Sequence, residues 1–226
     1  MTRLRAAVDV VIPVKYGESF LPESVASALD QTGATMRVCV VDDGADAAIG
    51  PLLAGFPAES VRVVANGGAP GIGGARNFGA GLGDAPFLAF LDADDVWPPQ
   101  RTEELLRTLG GPVACDLAFG LVEQFVEGDP GAFRVSEAPS PGLLAGGMLM
   151  RRGVWTQIGP FDERLVLGEF IDWLARARSM GLRESSIDSV ALRRRFHGDN
   201  TTIHRRADRA AYADVIRRHL RRQDGR

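Results

Sequence analysis

Short apolar runs rich in β-branched residues alternate along this chain with segments of helical periodicity. That alternation is typical of βαβ units, in which helices connect the strands of a mainly parallel sheet and cover its faces. The run MRVCVV, residues 36–41, is almost continuously apolar, so it predicts a strand that is buried on both faces. The pattern therefore predicts an α/β fold with a mixed, mainly parallel sheet flanked by helices.

The predicted elements follow one another without a linker that would divide the chain. Leu21, Val25 and Leu29, for example, recur at the spacing of one helical face. Strands are expected at residues 8–14, 36–41, 61–65, 87–91, 116–126, 146–152 and 189–197. Helices are expected at residues 21–29, 46–55, from about 74, 98–109, 169–181 and 207–222. Residues 127–142 contain Pro130, Pro139 and Pro141, and they predict a long mobile loop or lid.

Composition excludes several classes of protein. No apolar run approaches the roughly 18 residues that a membrane span needs, and Asp9 interrupts the apolar stretch near the N-terminus. No small-residue cleavage site follows that stretch, so we predict no signal peptide and a cytoplasmic location. Cys39 and Cys115 both lie in strand-like runs, which predicts buried thiols and no structural zinc site.

Polar clusters follow three of the predicted strands at their carboxyl ends. These clusters are Pro13-Val14-Lys15, Asp42-Asp43 and Asp92-Asp94-Asp95. Each cluster alone could simply be the polar residues with which strands commonly end. Because parallel strands end at a common edge of the sheet, however, the three clusters together predict an acidic cleft. Asp92 and Asp94 point the same way in extended chain. Since Mg²⁺ or Mn²⁺ binds carboxylates together with substrate phosphates, the cleft predicts a metal site for a nucleotide diphosphate.

Five segments resemble, in order and spacing, the family 2 glycosyltransferases of the GT-A fold over nearly the whole chain. These are VIPVKYGESFLPESVASALDQT, VVDDGA, the block from GGARNFG to FLDADDVW, IGPFDERL with GEFIDWLARARSMG, and FHGDNTT. The resemblance implies one glycosyltransferase domain over residues 1–226. Its nucleotide-binding part would cover about 1–110, its acceptor-side part about 111–204 and a basic helix about 205–226.

The resemblance also implies roles for individual residues. The implied nucleotide-binding residues are Pro13, Val14, Asp42, Asp43, Gly73, Arg76, Asp92 and Ala93, and the implied ligands of Mn²⁺ or Mg²⁺ are Asp94 and His197. Asp42 and Asp43 would hold the base, usually uracil, with Arg76 nearby, and Asp92 would lie near the ribose. A surface position for Arg76 and a plain strand-end position for His197 stay open as alternatives.

The catalytic base is the point at which this sequence departs from the family. Inverting members typically carry Glu-Asp at the start of the acceptor-side helix, and the aspartate deprotonates the acceptor hydroxyl. Here the aligned pair is Glu169-Phe170, and phenylalanine cannot take a proton. Asp172 lies three residues on and shares a helical face with Glu169. Glu169 is favoured as the base, while Asp172, or neither residue, stays open.

Partners follow partly from the resemblance and partly from charge. The resemblance implies a nucleotide diphosphate sugar donor, a sugar, lipid-linked or peptide acceptor, and metal-dependent, inverting transfer. Residues 193–226 hold 11 arginines and four aspartates, so this end carries about +7 in a chain of net charge −3. This positive charge predicts a solvated basic helix, or a helix that makes peripheral contact with the inner face of an anionic membrane. No nucleic-acid-binding module accompanies the charge, so no nucleic-acid partner is expected.

Two other functions stay open at this stage. A nucleotidyltransferase would also use carboxylates and a metal on a similar sheet, but its glycine-rich loop after the first strand is missing, since Gly17 stands alone. A degenerate module that binds a nucleotide sugar without turnover is the alternative that Phe170 suggests.

Overall fold

One mixed β-sheet with helices on both faces forms the described part of the chain. The computed structural model describes residues 6–15, 18–44, 48–112, 115–129 and 133–198. The strands are β1 Ala6–Val14, β2 Ala34–Asp42, β3 Val61–Ala65, β4 Phe87–Phe90, β5 Leu117–Val126, β6 Ser140–Pro141, β7 Met148–Arg151 and β8 Glu184–Phe196. The helices are α1 Leu21–Leu29, α2 Ile49–Leu52, α3 Ile72–Gly81, α4 Arg101–Leu109, α5 Arg152–Ile158 and α6 Glu169–Ser179, with 3₁₀ turns at Glu18–Phe20 and Ala145–Gly147.

The strand order confirms the predicted mixed, mainly parallel sheet. It runs β3-β2-β1-β4-β7-β5-β6, and β8 also pairs with β5. β3, β2, β1 and β4 are parallel neighbours, and β8 is parallel to β5. β7 is antiparallel to both β4 and β5. The nucleotide-binding part and the acceptor-side part were expected to meet near residue 110. Because β4 pairs with β7, strands of both parts belong to one continuous sheet.

Two apolar cores cover the two faces of this sheet. Alternate residues of β1 such as Val10 belong to a core with α1 and α4, while Val11 belongs to a second core with α3, α5 and α6. In β2, burial on both faces was predicted for residues 36–41; it is confirmed for residues 38–41, which are all buried, whereas Arg37 is exposed. Cys39 and Cys115 are buried free thiols, and burial raises the pKa of both.

Helix α3 packs unusually closely on the sheet because of a glycine. A Cβ atom added at Gly79 would lie 2.5 Å from Val11 Cγ1 and 2.9 Å from Val41 Cγ2. Only a residue without a side chain allows that approach. Gly79 thus sets the distance between α3 and the strands β1 and β2.

The strand expected at residues 146–152 is shorter than predicted. A 3₁₀ turn precedes β7, and the chain leaves the sheet at Arg152, which begins α5. Arg152 Nη2 forms an ion pair of 2.5 Å with Asp9, and its Nε donates to the carbonyl of Ala85 at 2.6 Å. These bonds to β1 and to the loop that precedes β4 accompany the start of a helix that the sequence analysis missed.

Other boundaries also differ. The last strand begins at Glu184 and not at residue 189, because residues 184–186 pair with Leu117–Phe119 of β5. The helix expected from residue 98 begins at Arg101, since the carbonyl of Pro98 accepts the Arg101 N–H and no helix precedes it. The helix expected at 46–55 is α2, Ile49–Leu52, and residues 45–47 lie outside the described part.

Some expectations fall partly or wholly outside the described residues. The basic helix predicted at 207–222 lies entirely outside them. In the expected lid, residues 127–142, the described residues include one short strand, β6, which pairs with Leu121 and Val122 of β5. Within the described ranges, no helix has both the length and the apolar character to cross a membrane.

Candidate active site

A cleft of about 520 Å³ opens at the carboxyl ends of β1, β2 and β4. The predicted site residues that line it are Pro13, Val14, Asp43, Gly73, Arg76, Asp92, Ala93, Asp94 and Glu169. Asp42 lines an adjoining smaller cavity, to which Asp43 also contributes. The acidic rim expected from the sequence is therefore present, because parallel strands of matched register end together: Val14 pairs with Asp42.

Asp43 holds the glycine-rich loop in place. Its Oδ1 accepts a hydrogen bond from Asn66 Nδ2 at 2.7 Å, and its Oδ2 accepts one from the Gly71 N–H at 2.9 Å. Asn66 Nδ2 also donates to the carbonyl of Ala69 at 2.9 Å. Both carboxylate oxygens of Asp43 thus connect the end of β2 to the loop that precedes α3. Asp42, beside it, accepts the Gly44 N–H at 3.0 Å and faces the smaller cavity.

Arg76 is a buried cation that lines the cleft. Its Nη2 lies 2.5 Å from Asp92 Oδ1 and its Nη1 lies 2.6 Å from Glu169 Oε1. Burial opposes the charge, but the two carboxylates outweigh it and raise the pKa of the guanidinium. The rings of Phe90 and Phe161 lie 5.9 and 5.8 Å from its central carbon. Arg76 is therefore not a surface residue; it joins the loop after β4 to the start of α6.

Glu169 is the first residue of α6 and points into the cleft. Gly168 precedes it with φ 83°, a left-handed conformation that turns the chain sharply into the helix. A carboxylate in the first turn of a helix is stabilised by the free N–H groups and by the helix dipole. Glu169 Oε1 accepts the bond from Arg76, while Oε2 has no hydrogen-bond partner among the described residues.

The neighbouring residues of α6 are arranged differently from Glu169. Phe170 is buried, stacks on Trp173 and meets Phe119 edge-on. Asp172 Oδ2 lies 3.0 Å from Arg176 Nε one turn later on the same helix, and Asp172 is not among the residues that line the cleft. The structure thus brings Glu169, but not Asp172, to the predicted site.

Asp94 and His197, the two metal ligands that the resemblance implies, lie next to each other. Asp94 Oδ2 lies 3.0 Å from His197 Nε2, and the buried imidazole packs against Phe20 with ring centroids 4.7 Å apart. Within the described ranges, no cluster of three or more metal-binding side chains is found. Two protein donors nevertheless suit Mg²⁺ or Mn²⁺, which take one or two carboxylates and complete their shell with phosphate oxygens and water. The residues therefore fit a metal that binds together with a diphosphate.

Asp95 belongs to the wall of this site and not to its ligands. It is buried, and its Oδ1 accepts the backbone N–H of Arg195 at 2.9 Å. Burial, together with the charges of Asp94 and Asp92, raises the pKa of the Asp95 carboxyl well above its usual value. The third carboxylate of the run therefore fixes the loop after β4 against β8.

Two residues that hold the loop after β4 in place, through the carbonyl groups of residues 93–95, were missed from the sequence. The Ser24 hydroxyl lies 2.8 Å from the carbonyl oxygen of Ala93 and 2.7 Å from that of Asp95, and Arg195 Nε donates to the carbonyl of Asp94 at 2.8 Å. Ser24 had a signal, because it is a polar residue on the buried face of α1. Arg195 had none within the run LRRRF, in which nothing distinguishes one arginine from the next.

Comparison with known proteins identifies the family. The family model described as Glycosyl transferase family 2 matches residues 9–130, which is more than half of the chain. The chain belongs to glycosyl transferase family 2. Succinoglycan biosynthesis protein ExoO of Rhizobium meliloti (strain 1021) is 29% identical over 199 residues, which cover 78% of this chain and 57% of that protein. This family 2 chain thus spans little more than half the length of that relative.

Solved structures confirm the GT-A fold. S. aureus TarS 1–349 in complex with UDP superposes with a TM-score of 0.66 and 17% identity, covering 94% of this chain and 71% of that one. The mannosyltransferase PcManGT from Pyrobaculum calidifontis, in complex with GDP-Man and Mn²⁺, gives a TM-score of 0.69 at 14% identity over 93% and 64% of the two chains. At these identities the likeness concerns the fold of the family 2 domain.

Proposed function

We propose that this chain transfers a sugar from a UDP-linked donor to a sugar, lipid-linked or peptide acceptor, with inversion and with Mn²⁺ or Mg²⁺. The observation that carries the proposal is the Arg76 bridge. It brings Asp92, beside the implied metal ligand Asp94, and Glu169, the implied base, to one cleft. The UDP complex of TarS and the Mn²⁺ complex of PcManGT support the donor and the metal by analogy of fold.

In the proposed mechanism the nucleotide occupies the end of the cleft formed by Pro13, Val14, Asp43 and Gly73, with Asp42 at the adjoining cavity. A divalent ion held by Asp94 and His197 would neutralise the charge that develops on the departing diphosphate. The loop that carries Ala93 and Asp94 would be fixed by its bonds to Ser24 and Arg195.

Glu169 would act as the general base. Its Oε2 would take the proton of the acceptor hydroxyl while Arg76 holds Oε1 and thereby the orientation of the carboxylate. The acceptor oxygen would then attack the anomeric carbon from the side opposite the diphosphate, which inverts the configuration. Asp172 is bound to Arg176 outside the lining of the cleft, so its geometry supports a structural role.

The nucleotidyltransferase alternative receives no support from the family match. The binding-module alternative retains one specific observation, since the residue aligned with the family's catalytic aspartate, Phe170, is a buried member of the aromatic core. A screen of nucleotide sugars and candidate acceptors by mass spectrometry distinguishes a glycosyltransferase from a binding module. Donor binding without transfer to any acceptor would favour the binding module.

Calorimetry tests the metal dependence. UDP should bind more tightly with Mn²⁺ present, and Asp94→Ala should lose that gain while keeping the metal-free affinity. Asp162→Ala is the control, because the Asp162 carboxylate pairs with Arg164 and Asp162 is not among the residues that line the cleft. Equal UDP affinity with and without Mn²⁺ in the wild-type protein would contradict the proposed metal site.

A further inference from the structure

Among the described residues, four cationic side chains line the cleft: Lys15, Arg76, Arg194 and Arg195. Arg76 and Arg195 are both buried, and each is held by two carboxylates. The pairs are Arg76 with Asp92 and Glu169, and Arg195 with Glu23 and Glu127. Lys15 Nζ lies 4.0 Å from Asp43 Oδ2. Three of the four cations therefore have a carboxylate as a neighbour.

Arg194 differs from the other three cations in having no such partner. It is half-buried, and within the described ranges its guanidinium forms neither an ion pair nor a hydrogen bond. The Asp95 carboxyl acts on it electrostatically from beyond ion-pair distance, and Asp95 Oδ1 accepts the backbone N–H of Arg195 instead. The central carbon of the guanidinium lies 5.3 Å from the centre of the Phe196 ring. The ring thus restrains the arginine without using its N–H donors.

Strand geometry separates Arg194 from the contacts around Asp94. Arg195 Nε donates to the Asp94 carbonyl, and His197 Nε2 lies 3.0 Å from Asp94 Oδ2. Because successive residues of a strand point to opposite faces, Arg194 leaves β8 on the face opposite to Arg195 and His197. The charge of a diphosphate would be met by the proposed metal beside Asp94 and by Lys15 at the end of β1. Arg194 is therefore left for a different anionic group.

The chemistry of arginine indicates what that group is. A guanidinium presents planar N–H donors that match the two oxygens of a carboxylate, and such charge-assisted pairs are among the strongest hydrogen bonds in proteins. No carboxylate of the described residues takes this place at Arg194. The carboxylate would then belong to a molecule that enters the cleft.

We infer that Arg194 binds the carboxylate of an acidic sugar, such as a uronic acid, in one of the two substrates. The acidic sugar is either the one that the donor carries or the one that accepts it, and the recognition by arginine is the same for both. The inference rests on the proposed function, because it specifies a substrate of the same cleft. Arg194 thereby determines specificity, while the proposed chemistry stays with Glu169 and the metal.

Ligand pairs that differ by one carboxylate test the inference, by titration calorimetry on the full chain with Mn²⁺. UDP-glucuronate is compared with UDP-glucose, and methyl β-D-glucuronide is compared with methyl β-D-glucoside on protein saturated with UDP. In one of the two pairs the acidic sugar should bind at least about tenfold more tightly, the ratio expected for a hydrogen-bonded charged group. The first pair reports on the donor, and the second reports on the acceptor.

Variants of β8 assign the preference to Arg194. Arg194→Gln should abolish it and leave the affinity for UDP alone unchanged, because the charge and the paired donors are lost. Arg194→Lys should keep only part of it, since the charge remains without the planar donors. Arg193→Gln is the matched control and should keep all of it. Arg193 is the preceding residue of the strand, pairs with Glu123 and does not line the cleft.

Equal affinities within both ligand pairs would overturn the inference, and so would an undiminished preference in Arg194→Gln. A loss of affinity for UDP itself in Arg194→Gln would assign the arginine to the diphosphate and would likewise overturn it. Wild-type protein that binds no UDP would refute the proposed donor site, and the inference with it. Normal UDP binding with equal affinities within both pairs would refute the acidic sugar alone.

Discussion

Arg76 in α3 and Glu169 at the start of α6 form an ion pair of 2.6 Å although they are 93 residues apart in sequence. Both are buried, and Arg76 reaches Asp92 with its other terminal nitrogen. One guanidinium therefore connects the nucleotide-side loop after β4 to the helix that would carry the base. An Arg that presents its donors in a fixed plane is suited to hold two carboxylates at a defined separation.

Replacement of Glu169 by Gln should remove the ability of this side chain to take a proton while keeping its hydrogen bond with Arg76. The amide oxygen of Glu169→Gln can still accept the bond from Arg76, but the side chain no longer takes a proton. We expect kcat to fall by about 10²–10⁴-fold, the usual contribution of general base catalysis, while UDP and Mn²⁺ affinity stay unchanged. Steady-state kinetics with the identified donor and acceptor measure this.

Asp172→Asn is the control for that experiment, because Asp172 shares the helix but pairs with Arg176. Its kcat should stay close to that of the wild-type protein. A large loss in Asp172→Asn together with a normal rate in Glu169→Gln would exchange the two assignments.

Removal of Arg76 should cost stability as well as activity. Arg76→Met leaves Glu169 as a buried carboxylate without its partner, and breaking a buried pair in this way costs about 3–5 kcal/mol of unfolding free energy. The double variant Arg76→Met/Glu169→Met removes both charges and should recover much of that loss. Urea unfolding of the wild-type, single and double variants gives the coupling energy. A double variant no more stable than Arg76→Met would mean that packing, and not charge, decides the effect.

The sequence predicted the elements whose signal is local and missed those that depend on distant partners. The ends of β2 and β4 were predictable, because each apolar run stops at carboxylates, and the end of β1 was predictable because its apolar run stops at Lys15. Whether Glu169 or Asp172 faces the cleft was not, since helical spacing puts both on one face. The choice is made by Arg76, which comes from another helix. Arg152 likewise begins α5 through contacts to Asp9 and to Ala85 of the preceding loop.

Gly79 should be required for the close packing of α3 on β1 and β2. Because Arg76 belongs to α3, Gly79 should also be required for the position of Arg76. An added methyl group would meet Val11 and Val41 below 3.0 Å, so Gly79→Ala should lower the free energy of unfolding by about 1–3 kcal/mol through overpacking. Gly81 lies on the same helix with open space around it. Gly81→Ala should therefore be neutral or raise stability by up to about 1 kcal/mol. Thermal unfolding compares the two variants. Equal changes in stability for Gly79→Ala and Gly81→Ala would mean that α3 can shift away from the sheet to accommodate the added methyl group.

Lys15 offers a direct report on the donor site, because it is the only lysine of the chain. It lines the cleft next to Val14, its side chain is 45% exposed, and its Nζ lies 4.0 Å from Asp43 Oδ2, beyond hydrogen-bond distance. Both oxygens of Asp43 already accept bonds from Asn66 and Gly71. The ammonium is thus placed to meet an anionic nucleotide.

Acetylation of Lys15 by an amine-reactive ester, followed by peptide mass spectrometry, should slow by about tenfold at a UDP concentration of about ten times Kd, where less than about a tenth of the protein is free. The α-amino group of the chain reacts in the same sample and serves as the internal control, because it should show no protection. Uridine at equal occupancy separates the contributions of base and diphosphate: protection by UDP alone would assign Lys15 to the phosphates. Equal acetylation with and without saturating UDP would remove Lys15, and the adjoining end of β1, from the nucleotide site.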